Sequence, residues 1–160
     1  NGEPIYGFVY DHAREQLIEG GGGLGLSDGG RRLSPVPAAP LDRHAIVALH
    51  FPVSSTECEQ LRPILERFRV RSFGSGTLNL TYVALGKIQG ALDFKVKVWD
   101  VAAACALVRA SGAEFHLLNG PVFPMERFHV NMPYIHYLAG TPEFCREALA
   151  IVNRGGLPAD

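Results

Sequence analysis

The sequence has no excess of either charge, no long apolar run and few cysteines, and each shortage excludes a class of protein. Across 160 residues, 15 basic side chains are balanced by 16 acidic ones, a formal net charge of −1. This balance gives no broad electrostatic field for DNA, RNA or an anionic membrane. The longest uncharged apolar run, residues 101–108, is far shorter than the roughly 18 residues that predict a membrane span. We therefore expect no nucleic-acid partner and no membrane partner.

The cysteines and histidines also lack the spacing of common redox and metal sites. Cys58, Cys105 and Cys145 share no CxxC spacing, and each falls on an apolar helical face, which predicts buried, reduced thiols. The six histidines form no HxxxH or HExxH pair, which disfavours a zinc site. Reduced thiols are typical of a cytoplasmic protein. No signal peptide is visible at Asn1, where a truncated start would conceal one.

What is present is enough apolar sequence for a sizeable core. Apolar residues make up 47% of the chain and charged residues 19%, the composition of a globular protein. Two strands, over residues 5–10 and 16–19, come before a glycine-dense loop at 20–30 and a proline-rich linker at 34–40. The loop lacks the Gly-Lys-Ser/Thr ending of a P-loop, so we interpret it as a flexible hairpin end.

From residue 41 onward, predicted strands alternate with predicted helices. Ser54 with Glu57, and Thr56 with Glu59, have capping-box spacing and predict a helix that reaches Phe68. Pro63 inside that helix would move its start toward Leu61. The fold class is therefore layered α/β, with residues 41–160 as an α/β domain that follows a hairpin and linker at residues 1–40.

Residues 99–113 carry the strongest functional pattern. Val101, Ala104, Cys105 and Val108 recur at helical spacing, with Asp100 in the place of an N-cap and Gly112 at the far end. Asp is a preferred N-cap for purely structural reasons. An Asp at the mouth of a buried helix is also able to bind a cation. Spacing alone leaves both interpretations open.

A longer match of residue type and order extends this pattern. Arg71 to Asn79 reads RSFGSGTLN, Asp93 follows, then Trp99-Asp100 and its helix, and residues 7–11 read GFVYD. This order resembles the inositol monophosphatase family over nearly the whole chain. The resemblance implies the C-terminal half of the inositol monophosphatase and fructose-1,6-bisphosphatase-like fold, in which part of an antiparallel sheet precedes the α/β domain.

The resemblance also implies roles for individual residues. Asp100 matches a ligand of the second Mg²⁺, Gly74, Ser75 and Gly76 match residues that line the substrate pocket, and Asp93 matches a residue that accepts hydrogen bonds from substrate hydroxyls. From the residues alone, Ser75 serves equally well as a helix cap. Gly76 and Thr77 replace a common Ala-Ala, which keeps the main-chain donors and alters the packing.

Two metal-binding motifs of the family, a Glu-Glu pair and an Asp-Pro-Ile/Leu-Asp-Gly-Thr loop, do not occur in the 160 residues. The chain is then a fragment, or has its other half on another polypeptide, or comes from a lineage that lost catalysis. We expect no catalytic residue in this chain, with those residues in the N-terminal half. We also expect residues 1–160 alone to lack phosphatase activity and to bind Mg²⁺ weakly or not at all.

For the intact protein, the resemblance implies hydrolysis of inositol monophosphate or a related sugar phosphate by a two-metal mechanism with Mg²⁺. The alternative is a non-catalytic binding or regulatory module that keeps the fold without the metal cluster. A domain that starts partway through a sheet leaves strand edges and apolar surface uncovered. We therefore expect a homodimer, or pairing with the missing N-terminal half.

Overall fold

A computed structural model of the chain describes residues 2–35 and 41–155. The first of its two sheets is antiparallel, with strands in sequence order. They are β1 (Tyr6–Asp11), β2 (Gln16–Gly21), β3 (Leu26–Asp28) and β4 (Arg31–Leu33). Asp11 closes the β1–β2 turn because its Oδ1 accepts hydrogen bonds from the amides of Ala13 and Arg14, at 3.1 and 3.2 Å.

The second sheet is mixed, in the order β6-β5-β7-β9-β8. Its strands are β5 (Ile46–Leu49), β6 (Arg69–Arg71), β7 (Gly90–Val96), β8 (Glu114–Leu117) and β9 (Ile135–Gly140). Strand β5 pairs in parallel with β6 and β7, whereas β9 pairs antiparallel with β7 and β8. The helices are α1 (Ser55–Arg67), α2 (Gly76–Ala84), α3 (Val98–Ser111) and α4 (Pro142–Gly155).

Helices α2 and α3 lie between the two sheets. One apolar core joins Val9 and Ile18 of the first sheet to Leu107 of α3 and to Ala48 and Tyr137 of the second sheet. A second core, on the other face of the second sheet, contains side chains of α1 and α4. The layers therefore run sheet, helices, sheet, helices, which confirms the expected layered α/β fold.

Helix α1 corrects one boundary prediction. It begins after Ser54, whose hydroxyl accepts a hydrogen bond from the Glu57 amide at 3.2 Å while the Glu57 carboxylate accepts the Ser54 amide at 2.5 Å. Pro63 lies inside the helix and does not move its start toward Leu61. The reciprocal cap and the buried Leu61 and Ile64 outweigh the hydrogen bond that Pro63 cannot donate.

Two further predictions need correction. Cys58 lies on the exposed side of α1 and is not buried, whereas Cys105 and Cys145 are buried, free thiols as expected. The stretch at residues 20–30 is more regular than a loop, because β2 extends to Gly21 and β3 starts at Leu26. Most of the predicted linker at 34–40 falls outside the described residues, and the division near residue 40 stays a prediction. No helix in the described ranges is long and apolar enough to cross a membrane.

Candidate functional site

A polar cavity of about 310 Å³ opens where β5, β7 and the amino-terminal ends of α2 and α3 meet. It contains all five residues that the sequence singled out, Gly74, Ser75, Gly76, Asp93 and Asp100. They come from three separate segments of the chain, and the fold brings them together. The other lining residues are Leu49, His50, Phe51, Ser72, Asn79, Lys95 and Val96.

The turn into α2 forms one wall of the cavity. Gly74 has φ 71°, a left-handed conformation that favours glycine, and it turns the chain from β6 toward the helix. Ser75 is the N-cap, and its hydroxyl accepts a hydrogen bond from the Leu78 amide at 3.3 Å. Ser75 therefore caps the helix and lines the cavity at once. The positive end of the α2 dipole lies at this wall, a place that favours an anion.

Gly76 is glycine because of its neighbour across the cavity. A Cβ built on Gly76 would lie 2.7 Å from Cγ1 of Val96, which no real side-chain contact tolerates. Val96 is buried at the end of β7, beside the start of α2. The absence of a side chain at Gly76 thus leaves room for the β-branched side chain of Val96 on β7.

Asp100 is at the third position of α3, and the prediction that it is the N-cap is wrong. Lys97 is the N-cap, and the Asp100 carboxylate reaches back to accept the Lys97 amide at 2.8 Å through Oδ2. The helix starts three residues earlier than expected, because Val98, Trp99 and Asp100 form its first turn. This hydrogen bond engages one carboxylate oxygen of a half-buried side chain that lines the cavity.

Asp93 is buried, unlike most aspartates on strands. Its side chain is 6% exposed, and its Oδ1 accepts the Lys95 amide at 2.8 Å across an irregularity in β7. Burial raises the pKa of Asp93, and the nearby Asp100 carboxylate acts in the same direction, whereas the Lys95 amide and His50 oppose them. A carboxyl group of this kind is suited to hydrogen bonding with hydroxyl groups at the cavity floor.

The sequence reasoning missed His50, Glu57 and Lys95. His50 follows β5 and lies between two buried carboxylates, with Nε2 3.3 Å from Glu57 Oε1 and Nδ1 3.5 Å from Asp93 Oδ1. Lys95 Nζ donates to Glu57 Oε2 at 3.1 Å. One signal was available: the carboxyl ends of parallel neighbouring strands meet at one edge, so a polar residue directly after β5 should lie near Asp93.

Asn79 and Tyr137 complete the buried part of the site. Asn79 is 2% exposed, and its Oδ1 accepts no hydrogen bond within the described ranges. Tyr137 pairs with Asp93 across β7 and β9, and burial, with the Asp93 charge adding to it, raises the pKa of its hydroxyl well above the usual value. The cavity is thus backed by polar groups that are shielded from bulk solvent.

The carboxylates at the cavity are suited to provide some of the ligands of a hard cation such as Mg²⁺. Mg²⁺ usually takes one or two protein carboxylates together with substrate phosphate and water. Asp100 offers a half-buried carboxylate at the cavity wall, whereas Asp93 is buried and held by the Lys95 amide. Within residues 2–35 and 41–155, these carboxylates do not by themselves complete a two-metal site.

Comparison with known proteins agrees with this geometry. The sequence profile described as "Inositol monophosphatase family" matches residues 1–149. The chain belongs to this family. Its similarity to the inositol-1-monophosphatase of Bacillus subtilis strain 168 is 29% identity over 147 residues, covering 89% of this chain and 53% of that protein. The ImpA inositol-1-monophosphatase of Mycolicibacterium smegmatis is 37% identical over 92 residues, which cover 58% of this chain and 31% of ImpA.

Solved structures show the same family fold. The SuhB protein of Bartonella henselae superposes with a TM-score of 0.78 at 23% identity, covering 95% of this chain and 58% of that one. SaIMPase-II with inositol monophosphate bound superposes with a TM-score of 0.77 at 22% identity, covering 96% and 59%. The chain therefore spans a little over half the length of these two solved structures.

Proposed function

We propose that the chain is the C-terminal portion of a Mg²⁺-dependent phosphomonoesterase that hydrolyses inositol monophosphate or a related sugar phosphate. The observation that carries this proposal is the convergence of Gly74, Ser75, Gly76, Asp93 and Asp100 on one polar cavity. The names of two relatives, an inositol-1-monophosphatase and a fructose-1,6-bisphosphatase/inositol-1-monophosphatase, support the substrate class.

In this proposal, different residues of the chain bind different parts of the substrate. The turn at residues 74–76 and the amino end of α2 face the phosphate, since main-chain N–H groups and the helix dipole favour an anion there. Asp93 accepts hydrogen bonds from the hydroxyl groups of the polyol. Asp100 would hold a Mg²⁺ ion, which would stabilise the charge on the leaving group. The metal ions, when bound, supply an activated water and charge stabilisation.

The remaining ligands and the activating groups come from the additional polypeptide that the relatives contain. The first sheet offers a place for it. Phe8, Tyr10 and Leu17 lie on the side of that sheet that faces away from α3, and they are 62%, 49% and 39% exposed. We propose that the additional chain covers this outer aromatic face and brings its own carboxylates to the cavity.

The decisive experiment replaces Asp100 with Asn in the protein that includes both halves. Asn keeps an oxygen for the Lys97 amide, so the melting temperature without metal should barely change. It removes the negative charge that holds the cation, so turnover of inositol monophosphate should fall by about 10²-fold or more. Phosphate release and thermal melting are measured side by side, with the exposed Asp42→Asn as the control. Unchanged turnover at saturating Mg²⁺ would leave Asp100 with a capping role alone.

A second candidate is a non-catalytic regulatory module, and the names of several relatives favour it. Proteins of Pseudomonas aeruginosa and Pasteurella multocida that resemble this chain at 28% and 27% identity are named Nus factor SuhB. The coding sequence upstream of Asn1 separates the two candidates. An Asp-Pro-Ile/Leu-Asp-Gly-Thr run there supports the enzyme, and an upstream half without it supports the module.

A further inference from the structure

A second cluster of metal-ligating side chains lies away from the cavity, between strand β8 and helix α4. Glu114, His116 and Cys145 each offer a ligand atom, and these atoms lie within 4.8 Å of one another. His116 Nε2 is 2.8 Å from Glu114 Oε2, so two of the three groups are already in contact. It is the one such group of three among residues 2–35 and 41–155.

Strand alternation explains how the cluster forms and why it is unexpected. Phe115 and Leu117 point into the core shared with α2 and α3, so Glu114 and His116 point toward the opposite layer, where α4 lies. That layer contains an apolar core, which Leu118 from the same segment joins. Two polar side chains on β8 thus face α4, and the α4 side chain next to them is the fully buried thiol of Cys145.

The approach of α4 follows from the chain path. Helix α4 begins directly after β9, which pairs antiparallel with β8, and the Cys145 amide donates to the Thr141 carbonyl in the first turn. Cys145, in this first turn, therefore lies close to Glu114 and His116 of the edge strand β8. The side chains of His116 and Glu114 remain 36% and 42% exposed, which gives a metal ion a path from solvent.

We propose that Glu114, His116 and Cys145 form a transition-metal site that takes Zn²⁺. Imidazole, thiolate and carboxylate are the ligands of zinc in proteins, and three of them leave a fourth tetrahedral position for water. Thiolate and imidazole disfavour Mg²⁺, which prefers oxygen ligands alone. None of the three residues lines the cavity, so the site is independent of the proposed phosphatase function.

Binding includes a proton step. Burial, with the Glu114 charge adding to it, raises the pKa of the Cys145 thiol to about 12, so the thiol is protonated before the metal arrives. On binding, the S–H bond breaks, the proton passes to solvent, and the sulfur forms a bond to the metal. The bound ion then ties the edge strand β8 to α4, and this stabilises the folded chain.

Cobalt(II) is the probe, because it replaces zinc and a thiolate ligand gives it a near-ultraviolet charge-transfer band. Residues 1–160 should develop this band on titration with Co²⁺. Zn²⁺ should abolish it, and an excess of Mg²⁺ should leave it unchanged. Cys145→Ser should lose the band, whereas Cys58→Ser, which alters the exposed thiol of α1, should keep it. Zn²⁺ should raise the melting temperature of the parent chain and not that of Cys145→Ser.

His116→Gln is a second variant, in case Cys145→Ser loses the band only because it misfolds. The His116 side chain is partly exposed and tolerates substitution more readily than buried Cys145. With an unchanged circular-dichroism spectrum, this variant should bind Co²⁺ at least about tenfold more weakly. The proposal is overturned if saturating Co²⁺ gives no thiolate band, if the band persists in Cys145→Ser, or if His116→Gln binds as tightly as the parent chain.

Discussion

Glu57 shows how a single residue combines a structural and an electrostatic role. It is 3% exposed, and burial alone would raise its pKa. Hydrogen bonds with the backbone and side chain of Ser54 and with Lys95, together with nearby His50, outweigh burial and lower the pKa from 4.5 to about 2. The carboxylate that caps α1 is thus also a fixed negative charge behind the His50 ring at the cavity.

This shift predicts how stability depends on pH. Because the folded-state pKa is depressed, the contribution of Glu57 is present above pH 4.5 and is lost as the pH falls toward about 2. A shift of this size corresponds to about 3 kcal/mol. Urea unfolding from pH 7 to pH 2 should show a decline of that order that Glu57→Gln removes, while the exposed Glu59→Gln retains it. Parallel pH profiles for the parent chain and Glu57→Gln would contradict this account.

Residues of the site differed in how far the sequence revealed them. Gly74, Ser75 and Asp100 belong to continuous motifs, so a match of residue type and order identified them without knowledge of the fold. Asp93 is isolated in the sequence and was identified from the resemblance alone. His50 and Glu57 are joined by parallel pairing of β5 and β7 and by the return of α1, contacts that no local spacing encodes. The cluster of Glu114, His116 and Cys145 was missed for the same reason, because two of its residues lie on a strand and the third on a helix that is distant in sequence.

At the scale of elements, α2 and β7 approach closely because Gly76 has no side chain. Gly76 begins α2 and Val96 ends β7, and the cavity wall depends on how closely these two ends approach. The register of β7 keeps Val96 in place through its pairing with Ile135 of β9. A change at either residue should therefore be felt at the other.

Gly76→Ala should destabilise the chain by about 1–3 kcal/mol, because the added methyl group overpacks against Val96. Val96→Ala should destabilise it by leaving a void. The double variant should lose less unfolding free energy than the sum of the two single losses, with a coupling of about 1 kcal/mol. The reason is that the methyl group added at position 76 occupies the space that the Val96 side chain vacates. Urea unfolding of the four proteins gives this cycle, and strictly additive losses would show that the two residues do not compete for space.

Element types were more predictable from sequence than element ends. The strand predicted over residues 5–10 and the helix predicted from the periodicity of Val101 to Val108 are both present, as β1 and α3. The start of α1 was misplaced because Pro63 was given more weight than the reciprocal Ser54–Glu57 cap. The start of α3 was misplaced because Asp at the third helical position and Asp at the N-cap both satisfy an unpaired amide near the same turn.

At the scale of the whole molecule, the outer aromatic face of the first sheet is an exposed apolar surface. One side of β1 packs against α3, and on the other side Phe8 and Tyr10 are exposed next to Leu17 of β2. The chain spans 53% of the Bacillus subtilis relative and 58% of the Bartonella henselae structure. The length that these relatives have in addition is sufficient to cover such a face.

Without that cover, residues 1–160 should self-associate. Light scattering coupled to size-exclusion chromatography should show dimers or larger species that increase with protein concentration. Phe8→Ser combined with Tyr10→Ser should shift the population toward monomer, because it removes exposed apolar area. Leu24→Ser, at an exposed apolar residue in the β2–β3 turn, should have little effect. Co-expression with the N-terminal half should also suppress self-association, and a parent chain that is monomeric at high concentration would contradict the assignment of this face.

The close contact between Gly7 and α3 joins the first sheet to the helix layer. A Cβ at Gly7 would lie 2.1 Å from the Ala103 carbonyl oxygen, so β1 and α3 touch backbone to backbone. The same helix supplies Leu107 to a core that reaches Ala139 in the second sheet. Because α3 packs against both sheets, we expect that neither sheet separates from the rest of the molecule without also exposing α3. Asp100 lies in the first turn of this helix. The cavity should therefore loosen only in a global, cooperative transition, and amide hydrogens of β1 and β9 should exchange with the same free energy.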